Sequence, residues 1–154
     1  IEFSNNTIVQ GFLSFDVINH QTNFMEFYGT KGSIIGTDPN MFGGPIKVSL
    51  TEGGEWKEYS TEEMKLGKTN IFNKSDRSNE APTNANYRGV GLSDMIFSIE
   101  NDCEHRCNEK LILHVLDMLD TTIQSAKKSN TLNLRTTCNK TKQFTESEVA
   151  LILK

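Results

Sequence analysis

Apolar and polar positions alternate along the first part of the chain and then change period. In "TIVQGFLSFDVI" Val9, Leu13, Phe15 and Val17 fall on one face and Gln10, Ser14 and Asp16 on the other, interrupted by Phe12 and Ile18. That period of two predicts a long strand. "NFMEFYG", "GSIIGT", "PIKVSL" and "EWKEYS" follow as shorter β-type runs. Gly29 to Gly32 predicts a tight hairpin turn, and the paired glycines of Thr51-Glu-Gly-Gly54 permit the positive φ angles of another. Later the spacing becomes helical: Leu92, Met95, Ile96 and Ile99 form one stripe, and Leu111, Ile112, Val115, Leu116, Leu119 and Ile123 a broader one. Asn108 is placed to cap the longer helix, Lys127 and Lys128 suit its negative end, and Asn130 can take a left-handed stop. "TLNLRTT" then alternates as one more strand, and Thr145 and Glu148 stand in capping-box register ahead of a short terminal helix.

Between the two patterns, Thr61 to Tyr87 is polar, and "NKSDRSNEAPTNANY" offers almost nothing to a core. It predicts a long loop of the kind that is functional or mobile. Strands first and helices second predict an α+β fold: one domain over residues 1–154, with an open, mainly antiparallel sheet and helices packed on one face.

Composition narrows the function classes. The 154 residues carry 36% hydrophobic and 23% charged side chains and a net charge of −4. No run approaches the roughly 18 apolar residues of a membrane span, and the signs are interspersed with no basic stripe. A soluble protein is expected, with no membrane and no nucleic acid among its partners. The first residue is Ile1, which suggests a fragment. Three cysteines, Cys103, Cys107 and Cys138, fit a reducing, cytoplasmic compartment better than a disulfide framework, so the sequons at Asn5, Asn73 and Asn139 carry little weight.

Four motifs invite chemistry. "FYGTKGSIIGTDPNMFGG" has the glycines, lysine and serine of a phosphate loop, but Lys31 precedes Gly32, and a strand and an Asp38-Pro39-Asn40 turn follow where a helix is required. Gly89-Val-Gly91-Leu-Ser-Asp94 falls short of the dinucleotide fingerprint, since a polar loop precedes it and Asp94 would repel a pyrophosphate. Asp94 reads instead as an acid favoured near a helix N-terminus. Cys103-Glu-His105-Arg-Cys107 holds zinc-type donors without a second pair, and a loop between helices is the better reading. His114, flanked by Leu113 and Val115, has no nucleophile or orienting acid at a motif spacing and reads as structural.

In series, "FYGTKGSIIGTDPNMFGG", "EW", "NYRGVGLSDMIFSIEN", "HR" and "LILHVLDMLDTTIQSAKKSNTLNLRTTC" resemble the C-terminal domain of the Gfo/Idh/MocA oxidoreductases, the glucose-fructose oxidoreductase and inositol dehydrogenase group, from about Phe12 to Cys138. The resemblance implies a domain related to the C-terminal half of glyceraldehyde-phosphate dehydrogenase. It would belong to a two-domain parent that transfers hydride between NAD or NADP and a sugar, polyol or related hydroxy compound. The Rossmann glycines, the Glu-Lys-Pro motif and the Asp-x-x-x-His segment of that family have no counterpart here and would lie upstream of Ile1. No catalytic, cofactor-binding or metal-binding residue is therefore assigned to this chain, and none of its residues is expected to hold NAD or NADP.

Tyr87 and Arg88, where the polar loop enters a helix, are the substrate-binding candidates. The mixed sheet face with Phe12, Phe24 and Tyr28 is the expected surface of a homo-oligomer. The alternative is a non-catalytic scaffold or oligomerisation protein that retains this domain.

Overall fold

The structure, a computed structural model, describes residues 1–71 and 84–153. Strands β1 (Met25–Gly29), β2 (Gly32–Gly36), β3 (Ile46–Ser49) and β4 (Lys57–Tyr59) form one antiparallel sheet in chain order. Helices α1 (Val90–Glu100), α2 (Glu109–Lys128) and α3 (Glu146–Ile152) follow. Strands then helices make the architecture α+β, as the change of period predicts.

The register explains the sheet's two faces. Phe27 lies opposite Ile34, Ile34 opposite Val48, and Ile46 opposite Tyr59. Directly opposed residues share a face, so these side chains form one apolar surface. The other face carries the row Glu26, Ile35, Lys47 and Glu58. β1 and β2 are joined by the predicted tight turn, with Gly29 opposite Gly32. Between β3 and β4, Gly53 adopts φ 65°, a left-handed conformation that disfavours any side chain.

The helix ends follow the sequence signals with one exception. Asn108 accepts from the Leu111 amide at 3.1 Å, and Lys127 and Lys128 occupy the last turn of α2. Thr145 and Glu148 close a full capping box on α3. The left-handed stop, however, falls on Ser129 (φ 49°) and not on Asn130. Ser125 Oγ donates to the Asn130 carbonyl at 2.6 Å, which places the reversal one residue earlier.

Three larger expectations are corrected. The segment read as a long strand from Thr7 contributes only Ile8, in an isolated bridge with Glu2. Beyond it Phe12, Leu13, Phe15 and Ile18 are 93–106% exposed. Alternation selects a face but supplies no neighbouring backbone, and among the described residues no strand lies alongside this segment. "TLNLRTT" is not a strand either: the Arg135 and Thr136 amides donate to the Asp117 carboxylate, which takes the donors a ladder would need. Finally, α1 and α3 pack together, but no helix packs on the sheet among the described elements. Of the predicted polar loop, residues 72–83, which include Asn73, lie outside the described residues. Its two ends are joined where Ile71 bridges Asn84.

Little apolar surface is buried as a result. Among the described residues only Ala85 and Val149 are buried hydrophobics, whereas Asp94, Ser98, Asn108, Asp117 and Thr121 are buried and polar. The chain exposes 13,255 Å². A compact monomer of 17.3 kDa would expose about 7,800 Å² by the surface-to-mass scaling.

Candidate functional site

A cavity of about 600 Å³ opens where the approach to β3 meets the end of β4. Met41, Gly43, Gly44 and Pro45 form one wall, Glu58 and Ser60 to Glu62 a second, and Thr69, Asn84 and Ala85 the remainder. The first two walls are pinned by one hydroxyl. Thr61 Oγ1 accepts from the Gly44 amide and donates to the Gly44 carbonyl, both at 3.0 Å. Gly44 sits at φ 116°, and a Cβ there would meet Thr37 Cγ2 at 2.9 Å, so the wall requires glycine. Glu62 is held by Thr69, whose amide and hydroxyl donate to its Oε2 at 3.1 and 3.3 Å.

Among the described residues the lining contains two carboxylates, three hydroxyls, the Asn84 amide and backbone groups beside the apolar Met41, Pro45 and Ala85, and no lysine or arginine. Carboxylates only accept hydrogen bonds, so the cavity favours ligands that present O–H or N–H groups. It disfavours phosphates, because like charges repel. Contrary to the helix-terminus expectation, Asp94 is buried one turn inside α1 and spent on Arg106.

Tyr87 and Arg88 are not among the residues that line the cavity. The Tyr87 hydroxyl donates to the Lys68 carbonyl at 2.8 Å, and its ring meets Phe42 edge-on at 5.7 Å between centroids. Arg88 Nη2 donates to the carbonyl and side-chain oxygens of Asn40 at 3.2 and 3.3 Å. Together they tie the loop to the Asp38–Asn40 turn that leads into the glycine wall. Glu58, Thr61 and Glu62 escaped the sequence reading because a single strand carboxylate and two side chains at the start of the polar segment match no motif.

Two polar clusters occupy the helical half. Arg106 binds Asp94 through both its backbone amide and its guanidinium, reaches Glu148 at 2.9 Å, donates to the carbonyls of Lys142 and Gln143, and lies 3.8 Å above the Phe144 ring. The Thr145 amide and then Arg106 lower the Glu148 carboxyl to about 2. In the second cluster burial opposes ionisation of Asp117. Donors from Arg135 and Thr136 outweigh it and hold the carboxyl well below the usual range. Thr136 Oγ1 donates to Asp117 at 3.0 Å. Its single proton is thereby used, so His114 Nδ1, also 3.0 Å away, must be the donor to Thr136. His114 is thus a half-buried structural residue with a fixed tautomer.

Cys103 and Cys107 are exposed in the loop between α1 and α2. Among the described residues no group of three or more His, Cys, Asp or Glu side chains gathers as a metal site, and no helix is long and apolar enough to cross a membrane. No family model, no curated protein and no solved structure matches this chain.

Proposed function

We infer that this chain is the substrate-side and oligomerisation domain of an NAD(P)-dependent oxidoreductase that acts on a sugar, polyol or related hydroxy compound. The nicotinamide cofactor would be held by a separate nucleotide-binding domain, and hydride transfer would take place there. The observation that carries this reading is the acidic, glycine-walled cavity. Glu58, Glu62, Ser60 and the backbone around Gly44 offer acceptors and donors suited to a neutral polyhydroxy molecule, and the same charges disfavour a pyrophosphate. Tyr87 and Arg88 act as positioning residues that hold the glycine wall through Lys68 and Asn40. Of the expected oligomer surface, Phe12 and Phe24 lie outside the strands and Tyr28 is on the Glu26 face. The opposite, apolar face, with Phe27, Ile34 and Tyr59 all exposed, supports an oligomer instead, because an antiparallel sheet normally buries one face.

Amide NMR of the full chain tests the reading. Sugars and polyols at tens of millimolar are expected to shift Gly43, Gly44, Thr61 and Thr69, while NADH shifts nothing. Micromolar binding of NADH to this chain would overturn the assignment, as would a polyol panel that leaves the cavity amides unmoved. The latter outcome would favour a non-catalytic scaffold.

A further inference from the structure

We propose that Gly89–Gly91 is a hinge on which the helical half of the chain swings against the sheet half, with Lys65 as the latch of the closed position. No strand packs against any helix among the described elements. Among the described residues a single side-chain hydrogen bond crosses from residues 25–88 to residues 90–153, from Lys65 Nζ to the Glu146 carbonyl at 2.7 Å.

Each half is braced within itself up to this junction. Tyr87 and Arg88 belong to the sheet half through their bonds to Lys68 and Asn40. Asp94 belongs to the helical half through its bonds to Arg106. Gly89 and Gly91 stand between them. The other covalent connection does not fix the halves. The Ile1–Ile8 hairpin borders a cavity with Met118 and Leu134 of the helical half, and residues 10–24, which lead from it to β1, are exposed throughout. The side-chain hydrogen bonds of that stretch stay within it or reach only Glu26.

Nothing in the observed position calls for glycine at either place. Gly89 has an ordinary right-handed φ of −76°. Gly91 lies in the first turn of α1, and a Cβ on either residue would meet nothing within 4 Å. Glycine also weakens a helix relative to alanine, so Gly91 costs α1 stability. A hinge gives both a reason: residues at the end of an element absorb the φ and ψ changes of a swing, and glycine reaches angles closed to other residues. The swing bears on the cavity. Lys65 lies in the turn that starts at Thr61, whose carbonyl accepts from the Met64 amide at 2.9 Å, and Thr61 and Glu62 line the cavity. Breaking the Lys65 bond therefore frees that wall from α3. The hinge stands whichever ligand the cavity takes.

Residual dipolar couplings of the full chain decide it, measured on backbone amides in one alignment medium. The amides of β1 to β4 and those of α1 to α3 are expected to require two alignment tensors of unequal magnitude, because a swing averages one half more than the other. Replacing both glycines, Gly89→Ala with Gly91→Ala, should bring the ratio of the two magnitudes toward one. Lys65→Met, which removes the latch, should move it further from one. A single tensor that fits both halves of the parent, or a ratio that neither variant moves, would overturn the proposal.

Discussion

The sheet half and the helical half of this molecule are held together by opposite means. The sheet, Met25 to Tyr59, rests on its backbone ladder: its apolar side chains are bare, with Phe27 at 56% and Tyr59 at 48% exposure. The helical half, from Val90 onward, is fastened by carboxylates. Asp94 and Asp117 are buried at 3% and 5%, and each gathers donors from an arginine side chain and from backbone amides. A satisfied polar cluster specifies one geometry from within, whereas an uncovered apolar face leaves stabilisation to whatever packs on it. The sheet is therefore the half whose apolar side chains are left uncovered.

That contrast can be broken by substitution. The largest effect is expected from Arg106→Met, which strands the buried Asp94 and frees Glu148 and Phe144. Breaking such a pair costs about 3 kcal/mol, or roughly 10 °C in Tm by calorimetry. Asp117→Asn should lower Tm by a smaller amount, because the amide retains one acceptor for the Arg135 and Thr136 donors. An unchanged Tm in either variant would remove the basis of the comparison.

Acid sharpens it. The Glu148 carboxyl lies at about 2 against an ordinary 4.5. A depressed folded-state value contributes stability that is complete above the ordinary value and is lost as pH falls from 4.5 toward 2. Glu148→Gln should flatten the pH dependence of Tm across that window. Thr145→Ala removes the capping box of α3 and should cost about 1 kcal/mol in urea unfolding. Smallest of all, Phe27→Ser on the bare sheet should stay within about 0.5 kcal/mol when measured in the monomer. A loss comparable to Arg106→Met would mean that the sheet face is buried after all.

The sequence made the short elements readable. β1 to β4, the three helices, the Asn108 cap and the Thr145–Glu148 box all follow from local periodicity and capping chemistry, which act over a few residues. Whatever needed a distant partner was not readable. The Thr7–Ile18 alternation lacked a neighbouring backbone, and "TLNLRTT" lost its amides to Asp117, eighteen residues earlier in the case of Arg135. Asp94 gave the charge of a helix-terminus acid but not its link to Arg106. Tyr87 and Arg88, singled out by their place at a loop end, bond to Lys68 and Asn40 and are not among the cavity's lining residues, while Glu58 and Glu62, which are, had no pattern to mark them.

Native-state hydrogen exchange tests the contrast between the halves most directly. The amides of Arg106, Arg135 and Thr136, which donate to buried carboxylates, should exchange slowest together with the interior of α2. The amides of β1 to β4 should exchange faster in the monomer and slow on self-association. Sheet amides in the monomer as protected as Arg135 and Thr136 would contradict the account.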